Sequence, residues 1–358
     1  MLQHLDDPLP HELPASFRDD VRRRAATIRR RRVSLVSATA VFIVVAFATA
    51  SFAWVRMRDD NIQRVQLAPG VLADEVPAEP VDIVLVGSDA PPNATQLYSD
   101  VPGYQGGRAD AVMLLRLDPA NRSLRIASFP RDLIDPRTGG RLTDTLLGHD
   151  AAAVVDSVHL MIPIPIHHYI SLDFQGFVAL VNELGGVDVN TSAAIADRLT
   201  GLELPAGCSH LSGTEALSFV RSRHLTVNGV EDTSADLGRT KLQQAFVTAA
   251  LASLGRLSAD PLALDRYARI LAAHAALDNK LDLESLVALG REFRNVDPAN
   301  VASLTVPATL TTLNGADVLT ASAADLTVAR FFLFSGDHPE TAETTSTTTT
   351  PSFTVTPC

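Results

Sequence analysis

Val81-Asp82-Ile83-Val84-Leu85-Val86-Gly87-Ser88-Asp89 reads as a buried strand, Val81 to Val86, that ends in Gly-Ser-Asp. A polar segment containing Pro and Gly follows. Gly107-Arg108-Ala109-Asp110 then feeds a second strand, Ala111 to Leu117. Asp118-Pro119-Ala120-Asn121 is a turn by composition. A third strand, Leu124 to Ser128, ends in Phe129-Pro130-Arg131-Asp132. Asp89, Arg108 with Asp110, and Arg131 with Asp132 therefore gather at strand edges, where open α/β sheets place their ligands. Carboxylates mixed with several arginines suit a diphosphate bridged by a divalent cation. Surface ion pairs capping the strands account for the same residues, and this stretch alone does not separate the two readings.

The chain has 358 residues, 46% of them hydrophobic, enough for one large domain or two small ones. A net charge of -11 argues against a general nucleic-acid binder. The charge is unevenly placed: residues 1–32 hold eight Arg against five acids. The two cysteines, Cys208 and Cys358, can build neither a disulfide framework nor a CxxC metal site. A bridge between them is open but not favoured, because Cys358 ends a Thr/Ser/Pro-rich tail. His167-His168 hints at zinc, but adjacent side chains in an extended segment point to opposite faces, so a structural role is the expectation. HExxH, P-loop, GxSxG and GxGxxG patterns are all missing from the sequence.

Residues 1–32 are polar and basic. Val33 to Val55 is an uncharged, mainly apolar run, long enough to cross a hydrocarbon core of about 30 Å as a helix. Trp54 stands at one end, as an interfacial aromatic does, and eight Arg precede the run. The positive-inside rule puts the N-terminus in the cytoplasm and the rest of the chain outside. The run exceeds an ordinary signal-peptide core and Ala48-Thr49-Ala50 is a weak cleavage site, so an uncleaved signal anchor is expected. Residues 56–80 read as a stem, 81–336 as one domain, and 337–358 as a disordered tail lacking the apolar content to fold.

Within the domain, Ala151 to Leu160 is expected to be helical. Ile162 to Ile170 is expected to be extended, because Pro163 and Pro165 exclude helix. Asp173 to Leu184 reads as an amphipathic helix with Phe174, Phe177, Val178 and Val181 on one face, stopped by Gly185-Gly186. A helical piece, Gly213 to Val220, delivers Arg221-Ser222-Arg223. A helix over Ala235 to Leu254 puts Asp236, Arg239 and Gln243 on one face, where a solvated polar stripe is the default reading. Leu257 to Val296 reads as two or more helices, Val301 to Val306 as a strand, and Ala321 to Phe334 as a last helix.

The order of the motifs resembles the LytR–CpsA–Psr family of bacterial envelope proteins. The matching pieces are Val84-Leu-Val-Gly-Ser-Asp89, Gly107-Arg-Ala-Asp110, Ser128-Phe-Pro-Arg-Asp132, Asp173-Phe-Gln-Gly-Phe177, Leu184-Gly-Gly-Val-Asp-Val189, Leu211-Ser-Gly-Thr-Glu-Ala-Leu217, Arg221-Ser-Arg223, and Asp236-Leu-Gly-Arg239 with Gln243-Gln244. The resemblance implies an α/β (α+β) fold: a single three-layer domain, its central mixed β-sheet flanked by helices, behind one N-terminal transmembrane helix. It implies a Mg²⁺-dependent phosphotransferase, with Mn²⁺ as a substitute ion, at the outer face of the cell membrane. Such an enzyme moves a glycopolymer phosphate from a polyprenyl diphosphate-linked donor to a hydroxyl of peptidoglycan. Asp89 and Asp110 fall on the metal-binding positions, and Arg108, Arg131, Arg221, Arg223, Arg239 and Gln243 on the diphosphate-binding ones. An apolar channel between sheet and helices takes the lipid. Arg108, Arg131 and Asp132 are the catalytic candidates, Asp132 as general base or as an orienter. A non-catalytic polyprenyl-diphosphate binder, a membrane-anchored regulator, and a diphosphatase using water are the alternatives. Three departures from the family pattern stand out. Arg141-Leu-Thr-Asp144-Thr replaces Lys-x-Asn-x-Ala, Leu242 replaces the Arg before Gln-Gln, and Ala90-Pro-Pro92 follows Gly-Ser-Asp where the family often has Arg.

Overall fold

The computed structural model describes residues 62–90, 107–232, 235–254, 261–293, 296–297, 300–313, 315–335 and 353–358. The expected membrane span, Val33 to Val55, lies outside these residues. Among the described residues no helix is long and apolar enough to cross a membrane.

In chain order the elements begin β1 (Gln63–Val65), β2 (Val81–Ser88), β3 (Ala109–Asp118) and β4 (Ser123–Phe129), then a 3-10 helix (Leu142–His149), α1 (Ala151–Met161), β5 (His168–Asp173) and α2 (Phe174–Glu183). A run of short strands follows: β6 (Val187–Thr191), β7 (Ile195–Asp197), β8 (Leu202–Leu204) and β9 (Gly207–Leu211). Then come α3 (Gly213–Arg221), β10 (Thr226–Val227), β11 (Val230–Glu231), α4 (Ala235–Leu254), α5 (Pro261–His274), β12 (Ala275–Asp278) and α6 (Leu283–Phe293). The chain closes with β13 (Val301–Thr305), β14 (Thr309–Leu313), β15 (Ala316–Thr320), α7 (Ala323–Ser335) and β16 (Val355–Pro357).

The main sheet has seven strands in the order β1-β12-β5-β2-β3-β4-β13. It is mixed: β2 is antiparallel to β3 and parallel to β5, and β4 is antiparallel to β3 and parallel to β13. Period-2 alternation gives the sheet two apolar faces. Val84, Val86, Val112, Leu114, Ala127 and Phe129 share a core with α1 and α7, through Val154, Val158, Phe332 and Leu333. On the other face Leu85, Met113, Leu115 and Ile126 meet Val247 and Leu251 of α4. Sheet and helices on both sides make the expected three layers. A second core, under α2, α3 and α4, joins Val181, Val189, Phe219, Leu242 and Phe246.

Several expectations are corrected. The stem is part of the domain from residue 62: β1 pairs with β12, Leu72 is in the core, and Lys280 Nζ bonds Asp74 at 2.7 Å. Within the region read as helical, Ala275–Asp278 is a strand. Its four residues are all buried, so they carry no alternation by which to be recognised. Residues 353–358 of the tail are ordered: β16 pairs antiparallel with β6, Phe353 and Val355 pack on the second core, and Cys358 is bonded to Cys208 of β9. Composition averaged over the tail hid these apolar residues at its end. His167 and His168 are structural, as expected. His167 Nδ1 accepts the Asp82 N–H at 2.9 Å, and His168 bridges Asp278 at 3.1 Å and Glu75 at 2.6 Å.

Two predictions follow from these ties. The Cys208–Cys358 bond closes a separation of 150 residues. Removing it with Cys208→Ser lowers stability by about 2–5 kcal/mol. Thermal unfolding with and without reductant checks this: the wild type loses stability on reduction and the variant does not. Burial opposes charging of His168, but its hydrogen bonds to Asp278 and Glu75 outweigh burial and raise its pKa above 6.5. Because the folded state binds this proton more tightly, the contribution is complete below 6.5 and is lost as pH rises through the raised value. The unfolding midpoint then falls as pH rises past 6.5 and through the raised value, and His168→Gln flattens that fall. Equal slopes in the two proteins would contradict the assignment.

Candidate active site

Because β3 runs antiparallel to both β2 and β4, its N-terminal end lies between their C-terminal ends, and β5 ends at the same edge. Asp89 after β2, Asp110 in β3, Arg131 and Asp132 after β4, and Asp173 at the end of β5 are thereby gathered from distant parts of the sequence.

Alternation alone would put Asp110 on the face of Val112 and Leu114, inside the first core. The register prevents this. Gly87 pairs with Ala111 but Ser88 pairs with Ala109, leaving Asp110 as the extra residue of a β-bulge. A bulge re-aims its side chain, and Asp110 lines the cavity on the opposite face. There its Oδ1 accepts from Arg131 Nη1 at 2.5 Å. Gly87 lines the cavity beside it, where a Cβ would stand 3.3 Å from Ala111 Cβ.

The loop after β4 is fixed by backbone bonds. Leu133 N–H donates to the Pro130 carbonyl at 3.0 Å, Thr143 N–H to Arg131 at 2.8 Å and Leu319 N–H to Asp132 at 2.9 Å. The Asp132 carboxylate lies 3.9 Å from Arg131 Nε, 3.7 Å from Arg141 Nε and 3.6 Å from Arg223 Nη2. Three guanidiniums thus surround one carboxylate.

α3 begins in a capping box, Ser212 with Glu215, and ends by delivering Arg221, whose guanidinium carbon stands 4.7 Å from the Phe174 ring centre. On α4, Arg239 and Gln243 are one turn apart. Arg239 is only 5% exposed, so the expected solvated stripe is a buried wall. Gln243 Nε2 donates to the Val220 carbonyl at 3.2 Å, which ties α4 to the end of α3. The Asp236 side chain lies outside the described residues. Leu242 is fully buried in the second core.

These elements enclose a cavity of about 350 Å³. Asp110, Arg131, Arg221, Arg223, Arg239 and Gln243 line it together. Asp173 lines it as well and was not foreseen as a site residue: its Oδ1 caps α2 by accepting from Gly176 N–H at 2.7 Å, and its Oδ2 is 3.0 Å from His274 Nδ1. The signal for it was its place just before a helical pattern. Of the charged lining residues four are Arg and two are Asp, so the wall is locally cationic in an acidic protein. Deeper along the sheet the lining turns apolar: Leu85 and Met113 on the strands face Phe177, Leu217, Phe246 and Val247 on the helices.

Asp89, Arg108 and Asp132 are not among the lining residues. Asp89 sits at the rim, its Oδ1 accepting the Arg108 N–H at 2.7 Å, and Arg108 Nε is 3.9 Å from Asp144. Arg141 and Asp144, from the segment that departs from the family pattern, therefore face the site. Among the described residues no group of three or more His, Cys, Asp or Glu is placed to hold a metal.

The LytR_cpsA_psr family model matches residues 48–330. A Bacillus mycoides (strain KBAB4) protein named polyisoprenyl-teichoic acid–peptidoglycan teichoic acid transferase TagU is 29% identical over 214 residues, 58% of this chain and 64% of that protein. The match thus spans less than two thirds of that relative's length. Among solved structures, a LytR-Csp2A-Psr enzyme from Actinomyces oris has a TM-score of 0.57 and 24% identity over 76% of this chain and 95% of its own. TagT bound to LIIa-WTA has a TM-score of 0.58 and 21% identity, covering 75% of this chain and 98% of that one. These two likenesses show the fold. With the family model spanning most of the chain, the protein belongs to the LytR_cpsA_psr family.

Proposed function

We propose that the chain is a phosphotransferase at the outer face of the cell membrane. It moves a glycopolymer phosphate from a polyprenyl diphosphate-linked donor to a hydroxyl of peptidoglycan. One observation carries this reading: a single cavity joins an arginine-lined mouth at the strand ends to an apolar interior between β2, β3 and α4. A ligand with an anionic head and a long apolar tail matches both ends. The name of the B. mycoides relative, a teichoic acid transferase acting between polyisoprenyl and peptidoglycan, supports the same chemistry. So does the TagT structure with LIIa-WTA bound. An anchor at Val33 to Val55 would keep the domain beside a lipid-linked donor.

Asp89 and Asp110, at the adjoining ends of β2 and β3, are the residues that would hold Mg²⁺. The hydrogen bonds given above engage Oδ1 of each. Two hard carboxylates fit an ion that keeps several waters and takes its other oxygens from phosphate. Bound there, the ion would supply charge neutralisation on the diphosphate. Arg131, Arg221, Arg223 and Arg239 bind and orient the phosphoryl oxygens, with forked donors suited to them. The acceptor hydroxyl oxygen bonds to the glycan-side phosphorus as the bridging P–O bond breaks; polyprenyl phosphate leaves, and the hydroxyl proton passes to solvent. Such transfer depends on positioning and charge stabilisation, which is what these side chains provide. Asp132 keeps Arg131 and Arg223 aligned, and Arg108 at the exposed rim meets the donor as it enters.

The full chain in detergent, given a polyprenyl diphosphate-linked sugar, is expected to release polyprenyl phosphate with Mg²⁺ and not with EDTA. Asp110→Ala and Arg131→Ala each lower that rate about 100-fold or more. Adding peptidoglycan converts release into transfer. Tight lipid binding with no release under any condition leaves a carrier or regulator and removes the enzyme reading. Separately, Val247→Trp fills the apolar part of the cavity and touches none of the arginines. It should weaken binding of the lipid-linked donor about 10-fold or more, while inorganic pyrophosphate binds as in the wild type.

A further inference from the structure

Arg221 is the last residue of α3, and Arg223 lies just beyond it, where no helix or strand holds the backbone. The Arg223 guanidinium is aimed only as well as this segment is fixed. The fixing comes from β7, whose last residue, Asp197, is 1% exposed. Asp197 Oδ2 accepts the N–H groups of Arg223 and His224, both at 2.9 Å. Its Oδ1 accepts Leu199 N–H at 2.9 Å, which closes the turn between β7 and β8. Burial pushes this carboxyl up, but the N–H groups of His224, Leu199, Arg223 and Thr200 outweigh it and hold it below its ordinary value. Hydroxyls complete the cradle. Thr200 Oγ1 is 2.8 Å from Ser222 Oγ, and the Ser218 hydroxyl donates to the Thr200 carbonyl at 2.8 Å. Ser222, between the two arginines, is fully buried.

A turn cap would use only the bond to Leu199. The two bonds on Oδ2 reach 26 and 27 residues along the chain, to the backbone that carries Arg223. From the front, Asp132 meets the Arg223 guanidinium at 3.6 Å. The same residue is thus gripped at both ends, by one carboxylate on its main chain and another on its side chain.

We propose that Asp197 is a positioning residue of the anion site: by anchoring the amides of Arg223 and His224 it presents Arg223 pre-aligned to the diphosphate. This rests on the reading of the cavity as a polyprenyl diphosphate site. A pre-aligned guanidinium binds an anion without first losing backbone freedom. Asp197 touches no ligand and acts through the loop.

The test uses the full chain in detergent with farnesyl diphosphate as the probe. Calorimetric affinities are measured for the wild type, Asp197→Asn, Arg223→Ala, Arg239→Ala, and the two doubles that combine Asp197→Asn with each Arg variant. Asp197→Asn keeps the side chain's shape but turns an NH₂ group toward one set of amides. It is expected to weaken binding about 10-fold. Combined with Arg223→Ala it adds nothing further, whereas with Arg239→Ala the losses add. Amide hydrogen exchange at Arg223 and His224 should rise in Asp197→Asn while β2 and β3 stay protected. Additive losses with Arg223→Ala, or unchanged exchange at those amides, overturn the proposal. A wild type that does not bind farnesyl diphosphate defeats the reading of the cavity, and the exchange measurement still decides whether Asp197 holds the loop. If Asp197→Asn folds poorly, Asp197→Ser, which keeps a smaller acceptor, carries the same comparison.

Discussion

Four guanidiniums on one wall repel one another when no anion lies between them, and the surroundings of the cavity are built to offset that repulsion. Asp110 faces Arg131, and Asp132 stands between Arg131, Arg141 and Arg223. Asp197 lies behind the Arg223 main chain, and the Phe174 ring offers its face to Arg221. Each acid is itself held by something rigid: a strand bulge, a loop bonded on three sides, the end of a strand. The charges are therefore fixed before a ligand arrives, which is the condition under which dipoles and ions act most strongly on a phosphoryl group.

The two faces of the sheet divide the work. The first is packed tightly under α1 and α7 and carries no charge toward the site. The second is covered mainly by α4, and its filling stops short of the strand ends, so a cavity remains. α4 is pinned at the cavity by Gln243, which bonds the end of α3, and by Gln244, which bonds Thr305 of β13 at 3.2 Å. Arg239 is positioned by the same helix that closes the apolar interior, so the cationic and apolar parts of the cavity share one support.

Strands β2, β3, β4 and β13 and the helices Phe174–Glu183, Gly213–Arg221 and Ala235–Leu254 were legible because apolar runs, helical periodicity and glycine stops act locally. Six of the nine residues expected at the site line one cavity because the motifs lie at strand and helix ends, and topology brings those ends together. What the sequence did not carry is long-range. The bulge at Asp110 appears only once the pairing of β2 and β3 is known. Asp197 reads locally as no more than a turn cap for Leu199, since its other bonds reach partners 26 and 27 residues away. β12 is too short and too uniformly buried to show a period. β16 was lost in the average of a polar tail, although Phe353, Val355 and Cys358 each had a partner waiting in the second core or on β9.

β16 has one more consequence. In its three-stranded sheet, ordered β16-β6-β9, it covers one side of β6. An uncovered strand of that kind offers its backbone to neighbouring molecules. β16 is only three residues long and ends in Pro357, which has no N–H to donate. The bond from Cys358 to Cys208 keeps this poor template in place over a better one. The disulfide thus helps keep β6 from lying open as an unpaired edge.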